Sequence, residues 1–118
     1  MEYLNLALNN VEKIENLEQL ESLKKLDLTL NFIGELTSIE NLKEIYNLEE
    51  LTLTGNPCTD YPNYRDYVIA TLPQLQTLDS VDITRSDRIL AKQKYFDIRK
   101  IIVQKEVSFK FKKENIFI

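Results

Sequence analysis

Apolar and polar positions alternate in three short stretches of this chain, and the three superimpose. Leu4-Asn5-Leu6-Ala7-Leu8-Asn9-Asn10-Val11 lies over Leu26-Asp27-Leu28-Thr29-Leu30-Asn31-Phe32-Ile33, 22 residues on, and Leu51-Thr52-Leu53-Thr54-Gly55-Asn56-Pro57-Cys58 follows 25 residues later. Period-two alternation puts the paired leucines on one face of a short strand and the residues between them on the other. Between the strands, Val11, Ile14, Leu17, Leu20 and Leu23 correspond to Ile33, Leu36, Ile39, Leu42 and Ile45. Spacing of three predicts tight 3₁₀ turns in both copies. The second copy's three extra residues fall near Lys43 to Asn47 and should swell that side without disturbing the strands.

A motif recurring at this interval predicts a solenoid, and L-x-L-x-x-N is the leucine-rich repeat signature. The expected fold is an α/β leucine-rich repeat solenoid, with parallel strands on a concave face centred on Leu4–Leu6, Leu26–Leu28, Leu51–Leu53 and Leu78. Asn9, Asn31 and Asn56 end the strands, where an amide side chain can pair backbone groups that a turning chain leaves open. Their expected role is a structural ladder rather than ligand contact.

After Asn56 the repeat pattern changes. Pro57 and Pro62 break the chain, Tyr64 to Ala70 reads as a short helix, and Leu72 to Asp79 brings back a strand-like element. This is the expected C-terminal cap of the solenoid. Thr84 with Asp87 three residues on marks a helix start near Arg85. Within that helix Ile89, Phe96 and Val103 recur every seven residues, flanked by Leu90, Ile98, Ile101 and Ile102, a surface too broad for a small cap to cover. Past Glu106 the alternation Val107, Phe109, Phe111 has the strand period. The expected division is 1–83, repeats plus cap, and 84–118, C-terminal helix and tail.

Outward positions on the strands make the concave face, and they are the expected protein-binding residues. They are Tyr3, Asn5 and Ala7, then Lys25, Asp27 and Thr29, then Glu50, Thr52 and Thr54, with Thr77 and Asp79 at the cap. Asp27 stands between two core leucines where a carboxylate has weak strand propensity, so either a partner or a neighbouring strand group such as Asn5 or Thr52 should account for it. The first strand starts the sheet, and an unpaired edge favours self-association across Glu2 to Leu8. The C-terminal helix is a second candidate for self-association.

Composition narrows the function. An apolar content of 43% and a charged content of 29% are those of a globular domain, and 118 residues make one. No apolar run approaches the ~20 residues of a membrane span, and the start lacks a signal-peptide profile. A single cysteine permits no internal disulfide, which suits cytosol or nucleus. Residues 1–60 carry 12 acidic and 4 basic side chains, whereas 61–118 carry 7 and 11. The acidic repeat half argues against nucleic acid as partner. The basic tail, with Lys105, Lys110, Lys112 and Lys113, can either meet an acidic partner or stay solvated.

Catalytic chemistry finds little purchase. Histidine is absent, Gly34 and Gly55 are the only glycines, and Cys58 has no partner for a thiol pair or a zinc site. A non-enzymatic protein without cofactor or metal is expected, with Cys58 as a buried structural thiol.

Several strings are narrower than the repeat frame: Asn31-Phe32-Ile33-Gly34-Glu35-Leu36, Gly55-Asn56-Pro57-Cys58, Tyr64-Arg65, and Ala70-Thr71-Leu72-Pro73-Gln74-Leu75 running to Leu78-Asp79. On these the chain, from Leu4 to about Ala91, resembles the tilB/seahorse family of axonemal dynein arm assembly factors. The resemblance implies a cytoplasmic scaffold that helps preassemble outer and inner dynein arms for cilia or flagella. It also implies chaperones, other assembly factors or dynein chains as partners. Family members carry repeats before the position of Met1 and continue into a coiled coil and a cochaperone-like β domain, so a fragment of such a protein is expected. Two other repeat proteins share the frame: regulatory subunits of a protein phosphatase, and spliceosomal leucine-rich repeat proteins with a similar cap. Ten or more repeats in the full reading frame would point to the former, a downstream β domain to the assembly factors.

Overall fold

The computed structural model describes residues 1–17 and 19–115, with side chains through Ser108. Four strands, β1 (Tyr3–Asn5), β2 (Lys25–Asp27), β3 (Glu50–Thr52) and β4 (Thr77–Leu78), pair in parallel in chain order. The register sets Leu4, Leu26, Leu51 and Leu78 side by side, as the repeat alignment requires. Backbone bonds extend the ladder past the strands, from Leu6 N to Asp27 O at 2.8 Å, Leu28 N to Thr52 O at 2.9 Å and Leu30 N to Thr54 O at 2.9 Å.

Every repeat turns the same way because the same residues fill the same places. Leu26, Leu28, Leu51, Leu53 and Leu78 are fully buried, and so are Ile33, Leu36, Ile39, Leu42, Ile45 and Leu48 on the return path. Each such side chain contributes about 1.5–3 kcal/mol relative to exposure, and stacking supplies the partners that one repeat alone lacks. Leu4, Leu6, Val11, Leu17 and Leu20 are only partly buried and pack against this core from the first repeat.

The asparagine ladder forms. Asn31 Nδ2 donates to Leu6 O at 2.9 Å and to Leu28 O at 3.0 Å, while its Oδ1 accepts from Val11 N at 3.0 Å. Asn56 repeats this one rung on, with Leu28 O and Leu53 O both at 2.8 Å and Ile33 N at 3.1 Å. Asn9 reaches Leu6 O and Ala7 O within its own repeat and stays exposed.

The return paths differ between the repeats. A 3₁₀ helix spans Leu36–Leu42 in the second, while the first makes successive i→i+3 turns, from Leu20 N to Leu17 O at 3.0 Å and from Leu23 N to Leu20 O at 3.1 Å. The Lys43–Asn47 insertion lies in turns that bury Ile45 and expose Tyr46.

The cap is α1 (Tyr64–Thr71) followed by β4. An element absent from the sequence reading follows: β5 (Val81–Asp82) folds back antiparallel on β4, with Leu78 opposite Val81. Asp79 (φ 52°) and Ser80 (φ 66°) form the two-residue loop, both with the positive φ of a type I′ turn. Arg65 holds the hairpin from α1, donating to Leu78 O at 3.1 Å and to the carbonyls of Val81 and Asp82.

Helix α2 spans Arg85–Asn115. Its start is the expected capping box: Asp87 N donates to Thr84 Oγ1 at 3.1 Å and Thr84 N to Asp87 Oδ2 at 2.9 Å. These bonds hold the Asp87 carboxyl below its ordinary pKa. The strand period past Glu106 is corrected, because the backbone stays helical through residues 107–115. Ala91, Ile98 and Ile102 bury against the cap, and the Tyr95 ring stacks on Tyr67 with centroids 6.0 Å apart.

Candidate functional site

The outward positions form rows across the sheet, because parallel register places equivalent residues side by side. Tyr3, Lys25, Glu50 and Thr77 make one row. Lys25 Nζ lies 5.1 Å from the centre of the Tyr3 ring and 3.4 Å from Glu50 Oε2. Thr77 Oγ1 closes the row on Asp82 Oδ1 at 3.2 Å. Exposed contacts of this kind contribute little stability. Their consequence is geometric: an aromatic ring, a cation and an anion stand in line on an open surface.

The next row is Asn5, Asp27 and Thr52. Asn5 Oδ1 accepts from Ala7 N at 2.9 Å, and Asp27 Oδ1 accepts from Thr29 N at 3.0 Å and Thr29 Oγ1 at 2.6 Å. The group that meets Asp27 is therefore in the turn that follows its own strand, two residues on, rather than Asn5 or Thr52. Ala7, Thr29 and Thr54 follow in a third row, carried by the extended ladder.

Asp79 spends both oxygens on the scaffold. Oδ1 accepts from Leu53 N at 2.7 Å and Oδ2 from the Tyr64 hydroxyl at 2.7 Å. Burial and the negative charge of Asp79 push the Tyr64 phenol above its ordinary pKa. Burial first, then Asp79, pushes the Cys58 thiol up to about 12, so at neutral pH it is a protonated core group.

Beyond the named rows the structure brings forward Leu8, Leu30 and Phe32, large apolar side chains left exposed at the rim where the strands end. Leu8 (φ 60°) and Leu30 (φ 54°) take the left-handed conformation that Gly55 (φ 82°) takes in the third repeat. Alignment of two leucines with a glycine was the available signal: a turn position, not a third core position. Among the described residues no group of acidic, cysteine or histidine side chains is arranged to hold a metal. No described helix is long and apolar enough to cross a membrane. The surface can bind by shape, charge and aromatic contact.

The leucine-rich repeat profile matches residues 1–108. The chain belongs to the leucine-rich repeat family. It is 60% identical over 107 residues to Protein tilB of Drosophila melanogaster, covering 91% of this chain and 27% of that protein. It is 51% identical over 109 residues to mouse Dynein axonemal assembly factor 11, covering 92% of this chain and 23% of that protein. The zebrafish protein of that name is 54% identical over 115 residues, 98% of this chain and 26% of its own length. The resemblance to tilB-type proteins thus holds, over about a quarter of their length. Among solved structures, the Drosophila SNF/U2A′ complex matches with a TM-score of 0.74 at 35% identity, covering 79% of this chain and 55% of that one. The Mex67 leucine-rich repeat domain from Chaetomium thermophilum matches with a TM-score of 0.62 at 33% identity, covering 75% and 63%. Family and homologues support a protein-interaction scaffold.

Proposed function

We propose that this chain is the repeat portion of an axonemal dynein assembly factor, acting without catalysis in the cytoplasm of ciliated or flagellated cells. Its partners are then dynein chains, chaperones or other assembly factors, and they meet the concave face. The observation that carries the reading is the 51–54% identity to proteins named Dynein axonemal assembly factor 11, over more than nine-tenths of this chain. The concave rows support it, because Tyr3, Lys25 and Glu50 present an aromatic ring and both charges in one open line.

A chimera tests the proposal. The matching segment of Drosophila tilB is replaced by this chain in flies lacking tilB, and dynein arms are counted on sperm axonemes by electron microscopy. Restored arms are expected. A second chimera carrying Lys25→Glu and Asp27→Ala should accumulate to the same level yet restore few arms. Normal arms from that variant would remove the concave face from the proposal, and no arms from either, with both proteins present, would remove the assembly role.

A second reading has one observation in its favour: the fold match to U2A′ in its complex with SNF, at 35% identity. Lower identity than the assembly factors makes it the weaker of the two. Co-purification with a spliceosomal small ribonucleoprotein rather than with assembly factors would reverse that order.

A further inference from the structure

Charge divides this chain sharply at the start of α2. Residues 85–115 hold 10 basic and 4 acidic side chains, whereas residues 1–84 hold 5 and 15. The helix packs one face on α1 and the 3₁₀ segment Leu36–Leu42, through Ala91, Ile98 and Ile102. A second apolar face looks away from the body. Ile89, Phe96 and Val103 are seven residues apart and Val107 lies four further on, so the four share one side of the helix. Ile89 is 49%, Phe96 79% and Val107 62% exposed. Lys92, three residues after Ile89, and Lys100, four after Phe96, border the stripe. Both are exposed and form no ion pair among the described residues.

We propose that this outward face of α2 docks an acidic amphipathic helix of a partner protein. The surface is separate from the concave face, so the inference stands whether or not that face binds. Heptad spacing of the apolar positions gives a straight seam, which fits the ridge of an apposed helix. Phe96 is the anchor, a large aromatic ring in the middle of the seam. The lysines bordering it select acidic flanks and disfavour basic ones. Two other occupants fit less well. A second α2 would bring net +6 against net +6. An anionic membrane surface would attract the helix but repel the acidic body that carries it.

The probe is a labelled synthetic peptide of about four heptads, leucine along one seam and glutamate beside it, titrated with the 118-residue protein by fluorescence anisotropy. Saturable binding that weakens as salt rises is expected, and a matched leucine–lysine peptide should not bind. Phe96→Glu should weaken binding at least about tenfold with the melting temperature unchanged. Lys92→Glu with Lys100→Glu, which leaves the apolar seam intact, should exchange the preference of the protein from the glutamate to the lysine peptide. Equal binding of both peptides, or binding indifferent to Phe96→Glu, overturns the proposal. So does tighter binding to phosphatidylserine vesicles than to the peptide, or self-association in sedimentation that Phe96→Glu abolishes.

Discussion

Glu106 closes both of its carboxylate oxygens on Thr37, 69 residues earlier in the chain. Oε1 accepts the Thr37 backbone N–H at 2.7 Å and Oε2 the Thr37 hydroxyl at 2.8 Å. Thr37 stands in the first turn of the 3₁₀ segment Leu36–Leu42, where backbone N–H groups have no partner within the helix. A side chain from α2 thus caps a helix of the second repeat, and Arg99 on the same helix meets Glu40 at 3.2 Å. The two contacts tie the last element of the fold to its middle.

Removing the first tie has a predictable cost. Glu106 is only 8% exposed, and Glu106→Ala leaves the part-buried Thr37 N–H without its acceptor. A loss of about 2 kcal/mol is expected in urea unfolding. Arg99→Ala breaks a half-exposed pair and should cost under about 1 kcal/mol. Amide exchange at Thr37 should accelerate in the first variant and not in the second. Equal losses would mean that the helix is held by apolar burial alone.

The asparagine ladder predicts a gradient along the solenoid. Asn31→Ala deprives Leu6 O, Leu28 O and Val11 N of a partner at a site 4% exposed, and should cost about 3 kcal/mol or more. Asn9→Ala removes exposed bonds within one repeat and should cost below about 1 kcal/mol. The same chemical change at equivalent repeat positions separates burial from side-chain identity.

Most of this framework was legible in the sequence because it is periodic or local. Period-two leucines gave the strands and their register, the Asn interval gave the ladder, and Thr84 with Asp87 gave the start of α2. What escaped depends on contacts distant in sequence. The β4–β5 hairpin turns at Asp79-Ser80, without the Asn-Gly or Asp-Gly that marks such turns, and Asp79 is held there by Leu53 and Tyr64. Continuation of α2 past Glu106 overrides a short strand-like alternation. The concave rows followed from alternation alone, but the Thr29 hydroxyl that meets Asp27 could equally have been a group on either neighbouring strand.

Gly55 allows a test of packing between repeats. Its φ is 82°, and a Cβ there would stand 2.4 Å from Leu30 Cδ2. Gly55→Ala should therefore combine a backbone penalty of about 1 kcal/mol with displacement of the Leu30 side chain. In a double-mutant cycle Leu30→Ala should recover the steric part and leave the backbone part. Additive losses would mean that Leu30 moves aside freely, as an exposed side chain of a flexible residue can.

Cys58 reports on the opening of the core. It lies in the 3₁₀ turn Pro57–Asp60, fully buried, with its thiol pKa raised to about 12 from an ordinary 9.0. The sign follows from the protonated thiol being the form the fold accepts. Its contribution to stability is complete below the unfolded pKa and is lost as pH rises from about 9 towards 12. Between pH 7 and 8.5 an aromatic disulfide reagent should label native Cys58 only at the rate of opening. In the fast-closing regime that rate scales with the unfolding equilibrium, so Glu106→Ala should speed labelling by a factor matching its urea-measured loss. Labelling as fast as a free thiol, unchanged by that variant, would show that the third repeat opens independently of the α2 tie.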